Sequence, residues 1–292
     1  MKFIYFVLVS LFASTLLAHS PGFDLVKIKI EPVGGNVWVA FGAGGNIGLS
    51  VGEDGILMID DQFAPLAEKI KIAIKEKFNK KIKYVVNTHW HGDHTGGNEA
   101  FSKLAPIIAQ KNVKKRLKTA QKRGDKIFPK RPRAAWPTLS YEKSLAIEFN
   151  NEEIICSHLP DGHTDGDSII YFTKSKVLHL GDHFFTERFP FIDVHSGGSV
   201  NGYLKNLEYV LGTFDQDTKL IPGHGKLSSM SDLKVFRQMI SDTSKIVQNK
   251  KSKGQSLESI IKEGLGEKFK SYSWGFIPEK KWIKTLYVGS LK

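Results

Sequence analysis

His89-Trp90-His91-Gly92-Asp93-His94 places four side chains able to ligate a metal within six positions. The run before it, Ile82-Lys83-Tyr84-Val85-Val86-Asn87, is β-branched and aromatic, which predicts a strand that ends where the histidines begin. Chain extended through His89, His91 and Asp93 would send those three side chains to one side, because extended chain alternates with period two. His94 breaks the alternation and points elsewhere, as a second neighbouring ion would use. Gly92, Gly96 and Gly97 suit a tight turn there.

Three further candidates sit in similar settings. His163 lies in Asp161-Gly162-His163-Thr164-Asp165-Gly166, after the strand-like Glu153-Ile154-Ile155-Cys156-Ser157-His158-Leu159. Asp182 lies in Leu178-His179-Leu180-Gly181-Asp182-His183, after the strand-like Ser175-Lys176-Val177. His224 lies in Leu220-Ile221-Pro222-Gly223-His224-Gly225. Each is expected at the end of a short apolar run, beside a glycine. A lone histidine or aspartate at such a place is commonly a hydrogen-bonded turn residue. The joint pattern points instead to metal ligation.

In this order, His-x-His-x-Asp-His, Gly-His-Thr, Gly-Asp and Pro-Gly-His-Gly, the sequence resembles the metallo-β-lactamase-fold hydrolase superfamily over roughly residues 30 to 226. The resemblance implies an α/β fold, a four-layer αβ/βα sandwich of two mixed β-sheets with helices outside and a metal cleft at one edge of the sheets. It implies that His89, His91 and His163 hold one zinc ion, that Asp93, His94 and His224 hold the other, and that Asp182 bridges them. Iron or manganese would also suit such nitrogen and oxygen ligands. Gly55-Ile56-Leu57-Met58-Ile59-Asp60 matches an early strand of the family that ends in aspartate, so Asp60 would orient a ligating imidazole.

The same resemblance bears on substrate. One subclass of true β-lactamases has a cysteine ligand near Asp182, whereas Cys156, the single cysteine of this chain, precedes His163. Cys156 therefore reads as a small buried hydrophobe in a strand. Another subclass has a histidine like His94 but lacks the bridging aspartate. Seven ligands look like the glyoxalase-type set of the thioesterase, lactonase and phosphodiesterase branches. The implied mechanism is a hydroxide bridging two ions and attacking an ester, thioester, lactone or amide of a small molecule, with Asp93 both ligand and orienter of the nucleophile. Two other functions remain open: β-lactam hydrolysis by the same chemistry, and a non-catalytic metal-binding accessory protein of the periplasm.

Outward from the motifs, Met1-Lys2 followed by an apolar run from Phe3 to Ala13, with Leu16-Leu17-Ala18 as a cleavage site, predicts a signal peptide over 1–18 and a periplasmic or secreted protein. With one cysteine there is no internal disulfide. No stable membrane span is expected once the signal is removed. Residues 26 to 61 read as a β meander, and helices are expected at 64–78, 111–122, 203–211 and 232–248. The apolar stripe of the first would be Leu66, Ile70, Ile72, Ile74 and Phe78. Strands and helices alternate without an internal repeat, which predicts a single domain over 19–292 with a C-terminal helical extension from about 230.

Two loops are candidate walls of the cleft: the proline-rich 126–138, as a lid, and 188–201, with its aromatics and glycines. Trp136, Asn201 and Tyr203 are candidate substrate contacts. Trp90 is expected to pack behind the site, and His183 and His195 to be hydrogen-bonded loop residues. The net charge of +12 invites a polyanionic partner. The lysines are spread over several segments without an aromatic stacking platform, which favours a small-molecule substrate over nucleic acid.

Overall fold

A computed structural model describes residues 22–123 and 125–289. The expected signal peptide lies outside the described residues. The chain opens as the antiparallel meander β1 (Lys29–Gly34), β2 (Val37–Phe41), β3 (Ile47–Gly52) and β4 (Gly55–Ile59). Helix α1 (Ala67–Phe78) crosses over to β5 (Ile82–Asn87), which runs parallel to β4. Two short helices, α2 (Gly92–Thr95) and α3 (Asn98–Phe101), lead to β6 (Ile107–Gln110), parallel to β5. After α4 (Lys111–Lys118) comes a small hairpin of β7 (Gln121–Arg123) and β8 (Lys126–Phe128). Strand β9 (Leu139–Tyr141) then completes a seven-stranded mixed sheet.

The second sheet begins with β10 (Ser144–Phe149), β11 (Glu152–His158), β12 (Ser168–Phe172) and β13 (Val177–Phe185), each antiparallel to the one before. Helix α5 (Val200–Thr213) carries the chain over to β14 (Lys219–His224), parallel to β13, and β15 (Ser228–Ser229) closes this six-stranded sheet. Helices α6 (Met230–Ser252), α7 (Leu257–Glu263) and α8 (Glu279–Gly289) follow. Among the described residues no helix is long and apolar enough to cross a membrane.

The alternation of each strand explains the layers. In β4, Leu57 and Ile59 enter a core shared with Ile154, Cys156, Ile170 and Ile221 of the other sheet, while Ile56 and Met58 face the opposite way, onto Leu66, Ile70 and Ile74. In β13, Val177 joins the core between the sheets, whereas Leu178 and Leu180 face α5 and α6 through Leu207, Val210, Leu233 and Phe236. The order from one side to the other is helix, sheet, sheet, helix, as the sandwich requires. Each of these fully buried aliphatic side chains contributes roughly 1.5–3 kcal/mol. Cys156 lies within the inter-sheet core, and burial pushes its thiol up to about 12.

Several local expectations change. Ile72 is 55% exposed, because two residues of helix turn it about 200° from Ile70. Helix α4 stops at Lys118, eight residues long, and Thr119 is already extended (φ −123°, ψ 151°) where the hairpin begins. Asp182 does not end a short run: it lies inside the nine-residue β13, where the pairing with β14 slips around Gly181. The third and fourth expected helices are parts of the longer α5 and α6.

Candidate metal centre

The parallel pairs β4–β5 and β13–β14 bring four carboxyl ends to one edge of the sandwich, where such folds place their ligands. The metal-ligating motif after β5 is not extended throughout. Thr88, His89 and Trp90 bend away from the strand, His91 (φ −63°, ψ 150°) precedes one turn of helix, and Gly92 to Thr95 form it. The side chains of Asp93 and His94 therefore leave one helical turn, and Asp93 does not share a side with His89 and His91. Helical chain rotates successive side chains by about 100° where extended chain alternates them.

All seven motif residues converge. Their donor atoms form two groups, His89, His91, His163 and Asp182 in one and Asp93, His94 and His224 in the other, with every atom of a group within 4.8 Å of the rest. Asp182 reaches both. Its Oδ2 lies 3.4 Å from His163 Nε2 and 3.7 Å from His89 Nε2, while its Oδ1 lies 3.0 Å from His94 Nε2 and 3.3 Å from His224 Nε2. Asp93 Oδ2 lies 3.2 Å from His224 Nε2. Two glycines let backbone come this near. A Cβ on Gly223 would stand 2.2 Å from Asp182 Oδ1, and one on Gly45 would stand 2.1 Å from His94 Cε1.

The outer nitrogens of four histidines are tied to acceptors. His94 Nδ1 donates to Asp60 Oδ2 at 2.7 Å, and His91 Nε2 to Asp193 Oδ2 at 3.0 Å. His163 Nδ1 donates to the Phe191 carbonyl at 2.7 Å. His89 Nδ1 meets Thr88 Oγ1 at 3.0 Å, and since that hydroxyl donates to Asp60 at 2.7 Å, it accepts from the ring. Each inner nitrogen thereby faces Asp182 and the other rings, and it offers them a lone pair wherever the ring is neutral. His89 Nε2 and Asp182 Oδ1 are buried with no hydrogen-bond partner among the described residues. The 3.0 Å approach of His94 Nε2 to Asp182 Oδ1 is an ion pair while His94 carries a second proton, and a contact of two acceptors once that proton leaves, unless a metal cation takes its place. Converging buried acceptors of nitrogen and oxygen type are the donor set of a divalent metal site.

The electrostatics agree. Burial, reinforced by neighbouring histidines, lowers His89 and holds His163 at about 3, so both are neutral ligands at any ordinary pH. Burial also opposes charge on His94 and His224, yet Asp182 and Asp93, with Asp60 behind His94, outweigh it. His94 is raised and His224 stands at about 9. Desolvation pushes Asp182 and Asp93 up, but the surrounding histidines, His94 foremost, hold both well below the carboxylate range.

The family model described as the metallo-beta-lactamase superfamily matches residues 41–224. The chain belongs to that superfamily. Among its relatives in the superfamily, a hydroxyacylglutathione hydrolase of Nitrosococcus oceani is 29% identical over 162 residues, which are 55% of this chain and 55% of that protein. The matched stretch thus spans about half of that relative's length. A type 2 metallo-beta-lactamase of Bacillus cereus is 22% identical over 209 residues, 68% of this chain and 77% of that one. Among solved structures, a metallo-beta-lactamase from Pontibacter korlensis superposes with a TM-score of 0.62 at 15% identity, covering 74% of this chain and 99% of that chain. This last likeness concerns the fold.

Above the superfamily's donor cluster opens a cleft of about 710 Å³. Phe128 from the 126–138 loop and Arg188 and Phe191 from the 188–201 segment line it, so both loops contribute walls. The three candidate substrate contacts lie elsewhere. Tyr203 is fully buried, its hydroxyl donating to the Asp182 carbonyl at 2.8 Å. Trp136 donates to the Arg131 carbonyl at 2.9 Å and packs with the cluster around Trp90, and Asn201 is exposed on α5. Trp90 packs behind the site against Val113 and Leu117 and reaches the cleft with one edge. His183 is a buried strand residue paired with Asn206 at 3.0 Å, and His195 is exposed on a 310 turn. Asp193 and Thr88 carry orienting roles that no local motif signals.

Proposed function

We propose that this protein is a metal-dependent hydrolase that uses two zinc ions to cleave an ester, thioester, lactone or amide of a small molecule. The observation that carries the proposal is the set of inner nitrogens of four buried histidines converging with Asp182, at the floor of a cleft walled by aromatic side chains. Bound there, divalent ions supply Lewis-acid activation of the substrate oxygen and of the attacking water.

The chain's own residues do the rest. His89, His91 and His163 would hold one ion and Asp93, His94 and His224 the other, with an oxygen of Asp182 for each. Asp60, Thr88, Asp193 and the Phe191 carbonyl fix the rings, so the donor geometry is set before substrate arrives. Asp93 is the donor that opens furthest to the cleft, with 26% of its side chain exposed, and remains a carboxylate. It would accept a hydrogen bond from the incoming water and direct it at the acyl carbon. The aromatic walls exclude competing solvent, which strengthens these interactions. The names of the relatives support a thioester or a β-lactam bond as candidates for this chain. The apolar N-terminal run supports export to the periplasm or beyond.

The test is elemental analysis of the purified protein together with turnover of a lactone, a thioester, a phosphodiester and a carbapenem, before and after chelation. About two zinc ions per chain with chelator-sensitive turnover of an acyl substrate is the expected result. Carbapenem as the fastest member would establish β-lactam hydrolysis instead. Full metal with every substrate untouched would overturn the enzyme and leave an accessory metal-binding protein.

A further inference from the structure

Two cavities of similar size adjoin at the mouth of the site. The first is the cleft over the donor cluster, about 710 Å³, and the second is an open groove of about 670 Å³ beside it. They share Phe128, Phe191 and Phe276 as a common wall. Beyond that wall Ile192, Val194 and Val288 give the groove an apolar path, flanked by Asp193, Lys281 and Lys284. Phe276 is 51% exposed, Val288 46% and Phe128 42%, so three of the large apolar side chains left facing water gather along one path leading out of the cleft. Such clustering marks a surface meant to be covered, whereas scattered exposed apolar residues need no explanation.

The wall is built to hold its shape. Trp274 donates its indole N–H to the Phe189 carbonyl at 3.0 Å, and the Arg188 guanidinium lies 5.1 Å from its ring centre. Phe276 packs between Trp274 at 5.6 Å and Phe191 at 5.3 Å. The ammonium of Lys281 lies 3.9 Å from the Phe276 ring centre and donates to the Phe276 carbonyl at 3.0 Å. Trp274, Phe276 and Val288 all come from the C-terminal segment beyond the residues matched by the family model. A short acyl group would fill only part of the first cavity and would leave the exposed ridge wet.

We propose that cleft and groove form one acyl-binding channel, and that the substrates are esters or thioesters of medium- to long-chain acyl groups whose tail runs over Phe276 towards Val288. The proposal rests on the hydrolase function put forward above. In the reaction the oxygen of water forms a bond to the acyl carbon, the carbon–sulfur or carbon–oxygen bond breaks, and a proton of the water passes to the departing thiolate or alkoxide. A free carboxylic acid and a thiol or alcohol result. The channel adds affinity in proportion to the methylene groups it covers, which makes chain length the specificity variable.

The experiment is a series of p-nitrophenyl esters and acyl thioesters from acetyl to dodecanoyl on the full-length purified protein. The expected result is a rise in kcat/KM of about threefold for each added methylene until the groove is filled. Phe276→Ala should lower kcat/KM for dodecanoyl by about tenfold more than for acetyl, and Val288→Trp, which obstructs the far end, should shift the optimum to shorter chains. A second readout is independent of turnover: decanoate, and not acetate, should perturb tryptophan fluorescence, with the response diminished in Trp274→Phe. Chelator-sensitive hydrolysis with a flat chain-length profile and no decanoate response would overturn the channel while leaving the hydrolase function intact. Faster turnover of a short succinyl ester than of dodecanoyl, with strong salt dependence, would also overturn it, assigning the groove to Lys281 and Lys284. Absence of turnover with every ester, but a retained decanoate response, would count against the hydrolase and not the channel.

Discussion

Each histidine at the donor cluster has two nitrogens with different tasks, and the outer one determines the inner. Asp193 illustrates it, since its carboxylate takes the Nε2 proton of His91 and leaves Nδ1 to the metal. Asp193→Asn replaces a charged acceptor by a weaker one or by a competing donor. It should cost 10- to 100-fold in affinity for the metal, read by competition with a chromogenic chelator. A second prediction concerns protons. In the metal-free protein His224 at about 9 and the raised His94 are both charged at neutral pH, whereas His163 at about 3 and the lowered His89 are not. Loading the Asp93, His94 and His224 group must therefore release about two protons, whereas His89 and His163 release none at the other group. Affinity at the Asp93, His94 and His224 group should rise with pH until about 9, a dependence to which His89 and His163 add nothing at the other group. Calorimetric zinc titrations at one pH, in buffers of different ionisation enthalpy, measure the difference. The seven donors were legible in the sequence because each sits in a compact polar motif beside glycine. Asp193 and Thr88 were not, because their roles exist only through contacts with particular rings.

At the scale of elements, strand ends and one helical turn carry the site. Strands β4, β5 and β14 were visible as apolar runs stopping at Asp60, Asn87 and His224, and the site takes its depth from their common edge. Period-two reasoning carried through the metal-ligating motif failed because Gly92 to Thr95 close a helical turn there. In that turn Thr95 donates to the Trp90 and His91 carbonyls at 3.2 and 3.0 Å. Short polar segments hold no periodicity long enough to choose between the two conformations. Helix α6 was readable from its apolar spacing, and its first turn is fixed by Ser229, whose hydroxyl takes the Asp232 amide while the Asp232 carboxylate takes the Ser229 amide at 2.8 Å. Ser229→Ala removes one half of that reciprocal cap. It should destabilise the protein by about 1 kcal/mol in urea unfolding, with the unfolding slope unchanged.

For the whole molecule, the helices after residue 230 close the core on the outer face of the second sheet, and the same segment delivers Trp274 and Phe276 to the cleft. The metal centre joins both sheets, since His89, His91, Asp93 and His94 follow β5 while Asp182 and His224 belong to β13 and β14. Ions bound there hold the folded state against the unfolded one. With free metal at one hundred times the dissociation constant, each site adds about 2.7 kcal/mol, so chelation should lower Tm by roughly 5–10 °C per ion in scanning calorimetry. By itself the sequence determined the main strands and helices and the donor residues, because strand alternation, helical spacing and compact glycine-flanked motifs are local properties, while the layer pattern came from its resemblance to the superfamily. It also determined that no disulfide assists the fold, since the chain has a single cysteine. Only the tertiary structure decided that Asp182 divides its oxygens between two groups, that Asp193 and Thr88 orient rings, and that Tyr203 is buried away from the cleft. It alone brought Phe276 against Phe191. Those facts depend on distances between segments that lie tens to more than one hundred residues apart in the chain, and no local pattern of side chains encodes a distance.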